Sequence, residues 1–134
     1  VEVKQVAASA VAAKFRNCGQ VCISPQRFIV HNDIYEEFTR EAAKLISAYT
    51  YGNGLKTTSQ VGPVINKKQQ DQLNRLVNES VNLGALVAAG GSTASIEGKG
   101  FFFKPTLLKN VNSESPVFKE EIFAVEARIR IEKS

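Results

Sequence analysis

The 134 residues, 43% apolar and 22% charged, have the size and composition of one globular domain, enough chain to bury roughly two-thirds of its unfolded surface. The formal net charge of +4 comes from 17 basic side chains interspersed with 13 acidic ones, a solvated surface rather than the basic stripe that tracks a phosphate backbone, so no nucleic-acid partner is expected. No apolar run nears the ~20 residues of a membrane span, and Val1-Glu2-Val3-Lys4 has neither part of a secretory leader; no membrane partner is expected, and the chain, which has no Met, reads as an excerpt or a processed product.

Residues 3–17 carry Val3, Ala7, Ala10, Val11 and Phe15 at helical spacing with small side chains, which predicts a helix packed closely against a sheet. Gly19 offers a reversal point after Asn17-Cys18, and Cys22 lies just past it, before Pro25. Phe28-Ile29-Val30 reads as a buried strand. Asp33 with Glu36 forms a capping-box pattern ahead of a helical row at Ile34, Phe38, Ala42, Leu45 and Tyr49, which should end near Gly52-Asn53-Gly54. After a loop to Pro63, Asn66 with Gln69 repeats the capping pattern. Lys67-Lys68 opens a second amphipathic helix through Leu73, Leu76, Val77 and Val81, with Gly84 as its stop. Residues 85–89 read as a strand, and Phe101-Phe102-Phe103 opens an extended segment with Pro105 at an edge or bend. From Val125 to Ile131 apolar and charged residues alternate, the period of a half-exposed strand free to pair with another chain. Together these predict one α/β domain over residues 1–134.

Candidate chemistry centres on the cysteines. A cysteine is nucleophilic when its thiolate is accessible and stabilised. Cys22 falls on irregular backbone beyond a glycine, where N–H groups can face a substrate oxygen. Spacing alone leaves it either reactive or a small buried residue, and Cys18, at the helix end, reads as the latter. One histidine and two cysteines give no metal-ligand set. A Cys18–Cys22 bridge meets strict Cα limits, and without a disulfide framework a reducing, cytoplasmic setting is expected. His31, between a strand and a helix start, suits a surface or capping role better than that of a general base.

The segment Phe15-Arg16-Asn17-Cys18-Gly19-Gln20-Val21-Cys22 resembles the aldehyde dehydrogenase active-site signature Phe-x-Asn-x-Gly-Gln-x-Cys, followed at the familiar distance by Arg27. Gly62-Pro63-Val64-Ile65 is similar to that family's turn ahead of a helix. Residues 100–107 are similar to its Gly-x-Phe-x-x-Pro-Thr stretch, and Glu120-Glu121-Ile122-Phe123 to its Glu-Glu-Ile-Phe box. The resemblance implies part of the catalytic domain, a mostly parallel sheet flanked by helices. It implies oxidation of a small aldehyde to the acid with NAD or NADP, through a thiohemiacetal and a thioester on Cys22. It implies that Glu121 hydrogen-bonds the nicotinamide-side ribose and Phe123 packs beside the nicotinamide ring, although unaided their residue types suggest a surface carboxylate and a core ring. A homo-oligomer is implied for the full-length protein.

The departures from the family's pattern are equally specific. The dinucleotide-binding domain, the upstream glutamate base and the asparagine that supplies a second oxyanion donor are not among these residues, so the chain alone is expected to be inactive. Val125 stands where the family carries a proline. Two alternatives remain: a coenzyme A-acylating relative, which passes the thioester to a thiol, and a truncated homologue serving as an interaction module through the 125–131 strand. The Cys22-Ile23-Ser24-Pro25-Gln26-Arg27 run resembles branches acting on small functionalised aldehydes such as succinate semialdehyde or lactaldehyde.

Overall fold

In a computed structural model, which describes residues 2–124 and the backbone of residues 126–132, the Ala-rich N-terminal segment forms helix α1 (Val3–Phe15). Val3, Ala7, Val11 and Phe15, an i, i+4 row, are buried. The small side chains on this row let α1 lie closely on another helix, α2 (Tyr35–Ser47), where a sheet was expected, and the Phe15 ring meets Tyr49 beyond the end of α2 at 5.4 Å between centroids.

Strand β1 (Arg27–His31) precedes α2, and the junction differs from the expected capping box. A 3-10 turn over Asn32–Ile34 intervenes, and the His31 Nδ1 atom accepts the Asp33 N–H at 3.3 Å. A nearby side-chain acceptor that engages the backbone first removes the need for an Asx cap at that position. The buried row of α2 keeps Phe38 and Ala42 of the predicted row and then takes Ile46 in place of Leu45, which is partly exposed. Helix α3 (Lys67–Asn82) matches its prediction at both ends. Asn66 Oδ1 accepts the Gln69 N–H at 2.9 Å, and Gly84 follows with φ +100°.

Strands β2 (Leu86–Ala89), β3 (Thr93–Ile96), β4 (Lys99–Phe103) and β5 (Thr106–Lys109), helix α4 (Pro116–Lys119) and strand β6 (Glu126–Glu132) complete the described elements. The main sheet has the order β1-β6-β5-β2, and β3-β4 is a separate antiparallel pair. Strand β6 runs parallel to both β1 and β5, while β2 is antiparallel to β5, so the main sheet is mostly parallel, as the resemblance implied. Leu73, Leu107, Leu108 and Val117 are wholly buried between sheet and helices, where each contributes about 1.5–3 kcal/mol relative to an exposed side chain.

The expectation that residues 125–131 form a strand free to recruit another chain is corrected. Strand β6 is hydrogen-bonded on both sides. A period of two reports on the faces of a strand, whereas pairing uses its edges, about which alternation says nothing. Val125, with the proline question attached to it, lies outside the described residues.

Candidate active site

Helix α1 delivers the cysteine-bearing segment. Arg16 leaves the helix in an extended conformation (φ −53°, ψ 128°), and then Asn17, Cys18 and Gly19 adopt φ of 49°, 58° and 72° in succession. Left-handed backbone is natural for glycine, tolerable for asparagine and unfavourable by about 1–2 kcal/mol for other residues. Such a run persists only where neighbours over-determine it. Here they do. The Gln20 N–H donates to the Asn17 carbonyl at 3.0 Å and the Gly62 N–H donates to Cys18 Sγ at 3.3 Å. Gly19 lies so tightly on Ala124 that a Cβ there would stand 2.2 Å from the Ala124 carbonyl oxygen.

Cys22 comes next, in the middle of a turn closed by the Ser24 N–H on the Val21 carbonyl at 3.0 Å. The Ser24 hydroxyl in turn donates to the Lys14 carbonyl at 2.9 Å, which pins the far side of the turn to the end of α1. The Cys22 side chain is exposed, and both cysteines are free thiols. Among the described residues, neither the thiol nor the amide N–H of Cys22 is taken up by a hydrogen bond.

The four motif blocks are joined to one another. Gly62 of the second block caps Cys18 of the first. The Val64 N–H donates to the Phe101 carbonyl at 2.8 Å, tying the second block to the third. Gln70 Nε2, on α3, reaches the Phe102 carbonyl at 2.8 Å. Ala124, just after the fourth block, meets Gly19 of the first, and the Ile122 N–H of the fourth donates at 3.1 Å to Oε1 of Gln26, four residues past the first.

Over residues 121–124 burial alternates. Ile122 and Ala124 are buried at 2% and 0% exposure, whereas Glu121 and Phe123 face solvent. Phe123 is 46% exposed, so it is not the core ring its residue type suggested. Glu121 lines an open depression of about 480 Å3 with Gln26, Arg27, Phe118, Lys119 and Glu120. Its walls are ordered by the Arg27 guanidinium, 4.7 Å above the Phe118 ring, and by Arg75, which meets Glu120 at 3.2 Å. Cys22 is not among its lining residues. His31 is remote from this group, on the far end of β1, where it serves the cap described above.

Three features escaped the sequence reading. Cys18, passed over as a small apolar residue, is an acceptor that holds a neighbouring block. Gln26 joins two motifs through one amide oxygen. Lys14 is wholly buried, its Nζ 3.3 Å from where a Gly19 Cβ would stand. Lys14 did leave a signal, since it falls three residues after Val11 on the apolar row. Long-range partners such as Gly62 and Ile122 leave no local trace.

Compared with known proteins, residues 1–125 match the aldehyde dehydrogenase family. The chain is 40% identical over 114 residues to a succinate-semialdehyde dehydrogenase of Paenarthrobacter nicotinovorans, a match covering 85% of this chain and 25% of that protein. The solved succinate-semialdehyde dehydrogenase of Burkholderia pseudomallei superposes with a TM-score of 0.90 at 31% identity, covering 99% of this chain and 27% of that one. An aldehyde dehydrogenase of Bacillus cereus in complex with NAD+ gives 0.91 at 30% identity, covering 99% and 27%. The chain spans about a quarter of the length of the curated relatives it matches. With the match extending over nearly all of its residues and the fold in agreement, this chain belongs to the aldehyde dehydrogenase family.

Proposed function

We propose that Cys22 is the nucleophile of an NAD(P)-dependent aldehyde dehydrogenase that converts a small aldehyde to its carboxylic acid. The observation that carries the reading is the state of Cys22 itself: an exposed thiol in a turn held at both flanks, with its own N–H open to a ligand oxygen. The thiolate adds to the carbonyl carbon while the π electrons of the carbonyl move to oxygen. The Cys22 N–H is the donor this chain offers to that oxyanion. When bound, the nicotinamide dinucleotide supplies the hydride acceptor that turns the adduct on Cys22 into a thioester. Water then displaces the sulfur, releasing the acid and regenerating the thiol.

The exposed carboxylate of Glu121 and the exposed ring of Phe123 suit ribose hydroxyls and a flat nicotinamide, and we assign them those contacts. A nucleophilic thiolate must stay reduced, which fits a cytoplasmic setting. The likeness to succinate-semialdehyde dehydrogenases favours a small semialdehyde as substrate, and a homo-oligomer is proposed for the full-length enzyme.

Turnover is proposed for a protein that adds to these residues a general base, a second oxyanion donor and a dinucleotide domain. The 134-residue chain alone is expected to turn over nothing. In the full-length protein, Cys22→Ala should lower aldehyde-dependent NAD(P)H formation by at least about a thousandfold, because removing the nucleophile removes the covalent path. Cys18→Ala should retain turnover while lowering thermal stability. Comparable activity in Cys22→Ala would defeat the assignment. Product analysis separates the branches: free acid supports hydrolysis, and an acyl-coenzyme A product would identify the acylating alternative.

A further inference from the structure

The residues on either side of Cys22 hold the residues on either side of Phe123. Three positions before the cysteine, Gly19 abuts the Ala124 carbonyl; four positions after it, Gln26 Oε1 accepts the Ile122 N–H at 3.1 Å. Phe123 therefore sits on a short bridge whose two footings both belong to the segment that carries the thiol. The Gly19 footing is a steric contact and fixes how near the two strands of chain can come. The Gln26 footing is directional, because an amide oxygen accepts an N–H within a limited range of angles. Ile122 is 2% exposed, so its N–H lies at the margin of the core, where losing that acceptor is costly.

We propose that Gln26 is a positioning residue for the dinucleotide: through the Ile122 N–H it fixes Glu121 and Phe123 relative to the Cys22 turn, and thereby sets cofactor affinity without taking part in the thiol chemistry. This inference rests on the assignment of Glu121 and Phe123 to the dinucleotide. It also accounts for Gln26 lining the same depression as Glu121.

The test uses the full-length enzyme with two variants. Gln26→Met keeps the length of the side chain and removes the acceptor; Gln26→Glu keeps an acceptor oxygen at the same reach. Gln26→Met is expected to raise the KM and Kd for the dinucleotide roughly tenfold, the size of effect seen when a buried donor loses its partner. The kcat at saturating dinucleotide should stay within about threefold of the parent, and Gln26→Glu should recover most of the lost affinity. Thermal unfolding of both variants checks that the folded fraction is unchanged. An unchanged Kd in Gln26→Met, a fall in kcat with KM unaltered, or equal losses in both variants would each overturn the inference. If the parent enzyme binds no dinucleotide at all, the assignment of Glu121 and Phe123 falls, and this inference falls with it. If the parent binds it and Gln26→Met binds equally well, only the inference falls.

Discussion

Tyr35 shows how one side chain joins distant parts of this chain. It opens α2 and is 2% exposed, and its hydroxyl both donates to Asn110 Oδ1 and accepts the Asn110 N–H, each at 3.1 Å. Asn110 follows β5 with φ 55°, so the tyrosine secures a left-handed residue at the end of a core strand. Tyr35→Phe should destabilise the protein by about 1–3 kcal/mol, since it leaves a backbone donor without its acceptor; urea unfolding measures this directly. Burial raises the Tyr35 pKa above 10.0, the backbone hydrogen bond from Asn110 opposes the rise, and the charge of Glu36 adds to it. The sign follows from linkage. The folded state holds the phenol protonated more tightly than the unfolded chain does, so this stabilisation is complete below pH ~10 and declines as pH rises through the folded pKa. The alkaline loss of stability should therefore be shallower in Tyr35→Phe than in the parent. Equal slopes between about pH 9 and 11 would mean that Tyr35 ionises alike in both states.

Among the elements, the signature loop is the most constrained, and Gly19 is where the constraint is sharpest. Gly19→Ala adds left-handed strain and a methyl 2.2 Å from the Ala124 carbonyl oxygen, a backbone atom that cannot turn aside. A loss of about 2–4 kcal/mol is expected. Gly84, at the end of α3, has an even more positive φ of +100° but nothing within 4 Å of an added Cβ. Gly84→Ala should thus lose about 1 kcal/mol, from backbone strain alone. Thermal melts of the two variants test the contrast, and similar losses would mean that the Ala124 contact yields easily. These two glycines also mark what the sequence could disclose. Gly84 and Asn66 were legible because a helix end is decided by residues within one turn of it. Gly19 was legible as a turn, and the motif around it as a family signature, but its contact with Ala124 spans more than a hundred positions. The start of α2 was misread because two local acceptors, His31 and Asp33, stood within reach of the same backbone. The position of β6 was misread because its neighbours in the sheet are set by tertiary pairing.

At the scale of the molecule, the order β1-β6-β5-β2 puts apolar residues at both ends of the main sheet as described. Ile29 on β1 is 63% exposed, beside a groove of about 270 Å3 whose walls include Val6, Ala10, Phe28 and Phe38. At the other end, Leu86 and Val87 on β2 are 49% and 44% exposed. An end strand with apolar side chains presents both backbone groups and hydrophobic surface to another chain, whereas a lysine there disfavours edge-to-edge contact. The 134-residue chain by itself should accordingly associate as its concentration rises, through the sheet ends and not through β6. The variant with both Ile29→Lys and Val87→Lys should shift that equilibrium towards monomer, readable as a lower weight-average sedimentation coefficient over a roughly tenfold concentration range. Because both side chains are well exposed, the change in folding stability should stay within about 1 kcal/mol. That separates loss of association from loss of fold. Association that persists undiminished in the double variant would show that the sticky surface lies elsewhere, and the flanks of the exposed Phe123 would then be the place to substitute next.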